Sequence, residues 1–431
     1  MKIFSLAWVG LFASTWLPSS ASAQEEIYLQ VTRGGLSQMV IGHLPFSLSG
    51  LGAEEVYQEF WQHLSSDLSA TPVVTLLPED KAKLVEIDAK NEHLTRQRFR
   101  ALGAHFLLEG KLAVSGGQLA CDVKLTDLAS GKVAFSQRFS AGRKLVATLA
   151  HTVANELFHL FTGKKGPFLS RIAFVSDRTG AKEVWIMRWD GSEQEQLTQH
   201  RSIASGPNWS FDGQWLVFTS FLQGQPQLFL LKPTEGYLKN LPALPGVNSS
   251  ASFSPDGKKV VFAAGEDGFT NLYSLELSSN QVQRLTHTRA IDTQPAFSPN
   301  GRQIVFTSTR AGSPQLFIMD AEGTNVRRLT FEDSFADEPA WAPDDIRIAY
   351  TTKVENRFQI AVLDLRTGMR TVIPGPGNNE SPCFSPDGSL LAFTSDRTGS
   401  KQIYLTDAQG YARAITKEGN NLQPAWVGEI R

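Results

Sequence analysis

From residue 168 onward, short runs of alternating apolar and polar residues recur along the chain at a fixed spacing. One aromatic residue closes each run, as Phe306 does after Gln303-Ile304-Val305, and successive copies are 44 or 43 residues apart. The copies are Phe174, Phe218, Phe262, Phe306, Tyr350 and Phe393. A two-residue alternation is typical of β-strands, and these runs lack helical spacing. The pattern therefore predicts six copies of a β-structured repeat.

Two further series of residues keep the same period. One comprises Leu197, Leu241, Leu285, Leu329, Val372 and Ile415. The other begins a Pro-x-aromatic phrase, at Pro207, Ala251, Pro295, Pro339, Pro382 and Pro424. Within residues 295–330, four strand-like runs are separated by turn residues such as Asn300-Gly301. Four strands on this period are typical of a β-propeller blade, so we predict a mainly β protein with a six-bladed β-propeller.

The six Pro-x-aromatic phrases, which we take as the first strand of each blade, do not start at the same repeat as the six aromatic residues of the second strand. The first repeat, which begins near Phe168, has no first strand of its own, whereas Pro424-Ala425-Trp426 supplies a spare one after the last repeat. We expect this C-terminal strand to complete the first blade, because that arrangement leaves no open sheet edge. Residues 164–431 are therefore assigned to a six-bladed β-propeller closed by the C-terminal strand.

Residues 24–163 do not follow this period and predict a small α/β domain that precedes the propeller. The predicted strands are residues 27–31, 39–44, 73–77, 106–108, 119–125 and 133–139. The predicted helical segments are residues 54–68 and 145–161, and residues 81–100 are predicted to be mostly helical. A short linker, residues 163–167, leads from the last helix into the propeller.

The first 23 residues have the pattern of a cleaved export signal. Lys2 precedes an apolar stretch over residues 3–17, and Ala21-Ser22-Ala23 offers the small residues of a cleavage site. The apolar stretch is shorter than a membrane-spanning helix requires, and no cysteine follows it for lipid attachment. We therefore expect the mature chain to begin at Gln24 and to work in the periplasm without inserting into a membrane.

Composition removes several classes of function. The chain has 431 residues, with 41 Lys and Arg against 43 Asp and Glu, and a formal net charge of -2. Such a charge balance supplies no basic field for the phosphates of nucleic acids, so we expect no nucleic-acid partner. Cys121 and Cys383 fall in different predicted domains, so we expect no structural disulfide.

The sequence contains no catalytic motif that we can identify. Phosphate loops, G-x-G-x-x-G, H-E-x-x-H and G-x-S-x-G are all absent. His151 and His159 can share one helix face, but they lack a third ligand, so we expect structural roles and no metal. The phrase at residues 176–180 recurs at 395–399 and loosely at 308–312, which indicates a turn device. The inventory of catalytic motifs in the sequence is therefore thin.

The topology of a propeller indicates where binding takes place. Loops between the second and third strands, and between the fourth strand and the next blade, surround one mouth of the central channel. The loops that enter the next blade are long and polar, at residues 201–206, 245–250, 288–294, 332–338, 375–381 and 418–423. Because loops on a rigid scaffold commonly carry recognition, we expect the binding site at this mouth.

Several phrases resemble the TolB family of the bacterial Tol-Pal system. They include the S-P-D-G phrases at residues 254–257 and 385–388, a near match at 298–301, Asn271-Leu272-Tyr273, and the closing Pro424-Ala425-Trp426. Residues 41–46, 101–104 and 160–166 are similar to that family's N-terminal domain and linker. Peptidase propellers share the S-P-D-G phrase. The order of export signal, α/β domain, linker and six blades is more specific.

The resemblance implies a periplasmic binding protein that is not an enzyme, and we expect no cofactor. TolB-like proteins bind Pal, the peptidoglycan-associated lipoprotein, at the channel mouth and exchange with TolA through the mature N-terminal segment. The system supports outer-membrane integrity and invagination during cell division. By motif, the resemblance carries the Pal-binding role to Asn248, Ser250, Asp292 and Thr293. Ring symmetry adds the matching loop residues Asp337, Glu338, Asn379 and Glu380. The N-terminal candidates are Glu25, Glu26, Ile27, Tyr28 and Arg33. We expect a monomer.

Two other classes of function remain open. A propeller hydrolase or lyase needs clustered acids, histidines or metal ligands in the channel, and the peptidase version also needs an α/β-hydrolase domain after the ring. A propeller that binds a small ligand or a cation in its channel would use the Asp and Glu residues of the mouth loops. Calcium titration by calorimetry separates this alternative from a purely protein-binding role.

Overall fold

The computed structural model describes residues 38–85, 87, 91–406 and 411–430. The predicted export signal, the predicted strand at residues 27–31 and the N-terminal candidates between Glu25 and Arg33 lie outside the described residues. Within the described part of the chain, no helix is long and apolar enough to cross a membrane.

The N-terminal region folds as a sheet with helices packed against it, which confirms the predicted α/β class. Its strands are β1 (Met39–His43), β2 (Ser47–Ser49), β3 (Val74–Leu76), β4 (Phe106–Ser115), β5 (Gln118–Asp127) and β6 (Val133–Gly142). Its helices are α1 (Ala53–Ser69), α2 (Glu79–Ala82), α3 (Glu92–Ala101) and α4 (Val146–Thr162), and a short 3-10 helix (Arg143–Leu145) precedes α4. The sheet order is β3-β1-β4-β5-β6, and β2 pairs with β4. Strand β1 runs parallel to both of its neighbours.

The segment predicted to be mostly helical over residues 81–100 contains parts of two separate helices. Helix α2 ends at Ala82, and α3 begins only at Glu92. Asn91 caps α3, because its side-chain oxygen accepts a hydrogen bond from the backbone N–H of Leu94 at 3.1 Å. An asparagine cap satisfies one of the free N–H groups at a helix start, and it marks a new helix here.

The six predicted blades are confirmed, and each is an antiparallel sheet of four strands. From the inner to the outer strand, blade 1 comprises Asn421–Val427, Arg171–Ser176, Glu183–Arg188 and Glu195–Gln196. Blade 2 comprises Ala204–Trp209, Leu216–Ser220, Gln227–Lys232 and Tyr237–Asn240. Blade 3 comprises Val247–Phe253, Lys259–Gly265, Asn271–Glu276 and Val282–Arg284. Blade 4 comprises Asp292–Phe297, Gln303–Ser308, Gln315–Asp320 and Arg327–Arg328. Blade 5 comprises Ala336–Trp341, Arg347–Val354, Arg357–Asp364 and Arg370–Ile373. Blade 6 comprises Asn379–Phe384, Leu391–Ser395, Gln402–Thr406 and Ala412–Ala414. A 3-10 helix (Pro233–Glu235) precedes the outer strand of blade 2.

The repeating aromatic residue of the second strand is the core residue of its blade. Phe306 is fully buried and faces Phe317 of the third strand, with ring centroids 6.0 Å apart. Phe218 with Phe229, Phe262 with Tyr273, and Phe393 with Tyr404 repeat this cross-strand pair. Paired aromatic rings on neighbouring strands stabilise a sheet, which explains why an aromatic residue recurs at this position.

The S-P-D-G phrase forms the tight turn between the inner and second strands. In blade 3 the Ser254 hydroxyl donates a hydrogen bond to the Asp256 carboxylate at 2.6 Å, and Gly257 has a φ of 69°. Blade 5 has Asp345 where the other turns have glycine, and this residue keeps a left-handed φ of 62°. Aspartate tolerates that conformation better than most residues, so the turn survives the change.

The two ends of the propeller sequence meet in blade 1. The inner strand Asn421–Val427 pairs antiparallel with Arg171–Ser176. The Trp426 indole N–H donates to the Ser170 hydroxyl at 2.7 Å. Blade 2 is joined to the same strand, because the Trp209 indole N–H donates to the Ala425 carbonyl at 3.1 Å. The last strand therefore completes the first sheet and also contacts the next one.

The N-terminal domain and the propeller share one apolar core. Residues of α1 and α4 belong to the same buried cluster as Phe168, Trp189 and Ile415 of the linker and propeller. Phe168 lies between Phe158 of α4 and Trp189, with ring centroids 5.9 and 5.4 Å away. Trp189 directly follows the third strand of blade 1, at a turn on the side of the ring opposite the channel mouth. The N-terminal domain therefore contacts the ring away from the mouth.

Candidate binding face at the channel mouth

Each inner strand enters the ring through the same backbone feature. A residue with positive φ, between 50° and 59°, precedes the proline or alanine of the first-strand phrase. These entry residues are Gly206, Ser250, Gln294, Glu338, Ser381 and Gln423. Five of the six are not glycine, and a left-handed conformation costs such a residue roughly 1 to 3 kcal/mol. The pairing with the second strand shifts register at the same place in every blade.

The entry residues line the central channel, which has a volume of about 550 Å³. Neighbouring blades bond to each other through them. The Gln423 side-chain oxygen accepts a hydrogen bond from the Gly206 N–H at 2.9 Å. The Thr293 hydroxyl lies 3.3 Å from the Ser250 hydroxyl. The mouth is therefore a ring of polar side chains held on a closed backbone.

Glu338 is the acidic member of this ring, and it joins blades 5 and 6. Its carboxylate accepts hydrogen bonds from the Ser381 N–H at 2.7 Å and the Ser381 hydroxyl at 2.8 Å. The Thr351 hydroxyl donates to it at 2.8 Å. Burial raises the pKa of the Glu338 carboxyl above its ordinary value, and the nearby Asp337 charge acts in the same direction. The hydrogen bonds from Ser381 and Thr351 oppose this rise in pKa.

The raised pKa of Glu338 predicts a pH-dependent contribution to stability. The folded state holds a proton on this carboxyl at pH values where the unfolded chain, with a glutamate pKa of about 4.3, has lost it. The free energy of unfolding therefore falls as the pH rises from about 4.3 to the raised folded pKa. In Glu338→Gln this part of the decline is absent. Urea unfolding at a series of pH values measures it.

Glu332→Gln is the matched control, because Glu332 is an exposed residue of the same loop. We expect the control to follow the wild type at every pH. Equal slopes for the wild type and Glu338→Gln between pH 4 and 7 would contradict the predicted contribution.

Two positions before the entry residue, four blades carry a buried polar side chain. Those residues are Asn248, Asp292, Asn379 and Asn421. Asp292, which is fully buried, accepts a hydrogen bond from the Ser308 hydroxyl at 2.6 Å and contacts the Arg310 guanidinium at 2.8 Å. Asn248 bonds to the backbone of its own loop, at the N–H and carbonyl of Leu244. These side chains fix the loops that surround the mouth.

An arginine clamp, which we define as Arg178, Arg310 and Arg397, occupies the same position in blades 1, 4 and 6. Each guanidinium bonds to the buried residue of its own inner strand, namely Asn421, Asp292 and Asn379. Each also donates from Nε to the serine two residues earlier, at 3.0, 2.9 and 2.9 Å. Each stacks on the paired aromatic rings of its blade. The recurring phrase at 176–180, 308–312 and 395–399 is thus a device that holds a loop to the inner strand.

The structure brings the eight propeller candidates together at the mouth but gives them different environments. Asn248, Asp292 and Asn379 are buried, so any part that they play in partner binding is through the loops that they hold. The half-buried candidates are Ser250, Thr293, Asp337, Glu338 and Glu380. The Glu380 carboxylate pairs with the Lys401 ammonium at 2.7 Å. Burial raises the pKa of the Asp337 carboxyl as well.

Sequence reasoning missed a set of exposed apolar residues on the same face, which we call the apolar arc. It comprises Ile203, Leu222, Val247, Phe269, Ile291 and Phe331. Their exposed fractions lie between 41% for Val247 and 71% for Phe331. Val247, Phe269 and Ile291 line one shallow cavity of about 600 Å³. The available signal was an apolar residue within an otherwise polar loop.

Two family models match separate parts of the chain. The family model described as the TolB beta propeller domain matches residues 158–428. The TolB amino-terminal domain matches residues 27–134.

The curated relatives match smaller parts of the chain. A "Protein TolB homolog" of Chlorobium chlorochromatii is 30% identical over 221 residues, which are 51% of this chain and 50% of that protein. The "Tol-Pal system protein TolB" of Roseobacter denitrificans is 31% identical over 262 residues, which are 58% of this chain and 57% of that protein. The chain spans about half the length of the curated relatives it matches.

Among solved structures, the crystal structure of TolB from Acinetobacter baumannii matches with a TM-score of 0.80. The match covers 90% of this chain and 96% of that one, at 24% sequence identity. This likeness supports the arrangement of the two domains as a fold.

Proposed function

Because the chain belongs to the TolB family, we propose that it is a periplasmic component of a Tol-Pal system that binds proteins and catalyses no reaction. Its channel mouth binds a Pal-like peptidoglycan-associated lipoprotein, and its N-terminal segment exchanges with a TolA-like inner-membrane protein. Through these contacts it supports outer-membrane integrity and invagination during cell division. The observation that carries the proposal is the apolar arc beside the polar ring of entry residues.

The chemistry of this face suits a protein partner. A single exposed apolar side chain is ordinary, but six of them on one face of the ring make a surface that gains free energy when it is covered. Protein interfaces combine an apolar centre with polar surroundings, and here Ser250 lies in the same strand as Val247 and Thr293 lies two residues after Ile291. The arginine clamp and the buried Asn248 hold several of the loops before binding, which lowers the entropy cost of association.

The arc predicts which substitutions weaken binding of the lipoprotein. Phe269→Asp and Ile291→Asp each place a charge where we expect buried apolar contact. We expect each to weaken affinity by tenfold or more, as substitutions at the centre of an interface do. Calorimetry with the mature chain and the soluble domain of the lipoprotein from the same organism measures the change.

Met369→Asp is the control for these variants. Met369 is 63% exposed and follows the third strand of blade 5, on the side of the ring away from the mouth. We expect it to bind the lipoprotein as the wild type does. Equal affinity in all four proteins, with unchanged melting temperatures, would remove the mouth as the binding site.

The identity of the partner is tested separately. The wild-type mature chain should recover a peptidoglycan-binding lipoprotein from detergent-solubilised envelopes of the source organism. If the lipoprotein is detectable in the envelopes and the folded wild type does not recover it, the proposed partner is wrong. A chain that lacks residues 24–33 should still recover the lipoprotein and should lose the TolA-like protein.

A further inference from the structure

A buried histidine at the junction of the two domains has one ring nitrogen without a hydrogen-bond partner. His151 of α4 is fully buried, and its Nδ1 lies 2.6 Å from the carboxylate of Asp67 on α1. Its Nε2 is buried and makes no hydrogen bond. An unsatisfied polar atom in the interior costs free energy, so a ligand that bonds to this nitrogen would stabilise the folded protein.

Two further side chains with donor atoms lie close to the His151 ring, and they come from different elements. His63 lies on α1, one turn before Asp67, and its ring meets that of His151 edge-on with centroids 5.3 Å apart. Asp190 follows the third strand of blade 1. One donor atom from each of His63, His151 and Asp190 lies within 4.8 Å of the other two. Among the described residues, this is the one place where three or more such side chains meet.

We propose that His63, His151 and Asp190 bind a divalent transition-metal ion, best matched by zinc, and that this ion joins the N-terminal domain to the propeller. Two imidazoles and one carboxylate are ligands that zinc prefers, and a water molecule would complete four-coordination. Ligand atoms about 2.0 to 2.1 Å from zinc lie roughly 3.3 Å apart in a tetrahedron. The 4.8 Å limit on the present donor-atom separations is wider than this, so zinc binding requires the half-buried His63 and Asp190 side chains to move closer to His151.

The surrounding contacts are those of a supported metal site. A metal-binding histidine commonly donates its other ring N–H to a carboxylate, which fixes the ring orientation and its tautomer. Asp67 has this relation to His151. Asp190 is held in turn, because one of its carboxylate oxygens accepts hydrogen bonds from the Ser192 N–H at 2.9 Å and the Ser192 hydroxyl at 2.6 Å. Its other oxygen takes no part in these two hydrogen bonds.

A competing account is a purely electrostatic junction. Arg413 lies over the Trp189 ring, 5.1 Å from its centroid, and its positive charge acts on both Asp67 and Asp190. In that account the arginine balances the two carboxylates and no metal binds. The two accounts differ in whether the folded protein takes up zinc at this place.

Zinc uptake by the metal-free mature chain is the test. In competition with a chromophoric chelator, we expect the wild type to bind one zinc ion per chain. His63→Ala and Asp190→Asn should weaken that binding tenfold or more. His159→Ala should leave it unchanged, because His159 lies on the same helix α4 but is exposed.

Two further measurements keep the outcome clear if a variant is less stable. At one fixed concentration, zinc should raise the melting temperature of the wild type and of His159→Ala, and it should raise that of Asp190→Asn less. Cobalt in the wild type should give the intense visible absorption bands of a four-coordinate site. Failure of the folded wild type to bind zinc, or equal zinc affinity in all four proteins, would overturn the proposal. A cobalt spectrum that shows nothing beyond the weak absorption of six-coordinate cobalt would overturn it as well.

Discussion

Removal of residues 424–431 will lower the melting temperature of the protein by roughly 10 °C or more. The deletion takes away most of the inner strand of blade 1, including Trp426 and its hydrogen bond to Ser170. It also removes Ala425 and Val427 from the apolar cluster between blades 1 and 2. A loss of several kcal/mol translates into a shift of this size for a domain of a few hundred residues. Residues 171–173, which pair with residues 425–427, would be left as an open edge.

A thermal melt of the mature chain with and without these residues measures the effect. A shorter truncation that removes only residues 429–431 keeps the strand and is the control, for which we expect a small change. A melting temperature within a few degrees of the wild type for the longer truncation would show that the ring does not depend on its last strand.

Arg310→Met will destabilise the fold far more than the equivalent change Arg397→Met. Both arginines donate to a serine and stack on a pair of aromatic rings. They differ in what the guanidinium faces, which is the fully buried carboxylate of Asp292 in one blade and the neutral amide of Asn379 in the other. Removing one partner of a buried ion pair costs about 3 to 5 kcal/mol, because it leaves a charge without compensation. Loss of a hydrogen bond to an amide costs about 1 to 3 kcal/mol.

Urea unfolding of the two single variants gives the comparison. A double variant, Asp292→Asn with Arg310→Met, serves as the internal control, because it removes the uncompensated charge and should recover part of the lost stability. Equal losses for Arg310→Met and Arg397→Met would mean that stacking, and not the charge of Asp292, dominates the clamp.

The propeller could be predicted from the sequence because each repeat shows its own pattern within a short stretch of the chain. Phe306 and its equivalents recur on one period, since each fills the same place in a sheet whose strands are neighbours in sequence. The mostly helical segment at residues 81–100 was predicted without the break that divides it, although Asn91 is a recognisable cap. A capping residue is informative only when the break before it is also recognised.

The candidate site was predicted to the level of loops but not of side chains. The loop boundaries chosen from the sequence end at Glu338 and its equivalents, which the structure shows as the left-handed entry residues. Burial of Asp292 and exposure of Phe269 depend on the ring around them, which no local pattern encodes. His151 illustrates the same limit, because His63 and Asp190 reach it from distant parts of the chain.

The placement of β1 has a mechanical consequence. This strand lies inside its sheet, with the parallel strands β3 and β4 on either side. If a partner holds the chain upstream of Met39 and pulls along the strand, the hydrogen bonds on both sides of the strand are loaded in shear, all at once. Peeling them apart one by one would require a different direction of force. Because the N-terminal domain shares its core with the ring, such a tether would transmit tension to the propeller without first unravelling the domain that it grips.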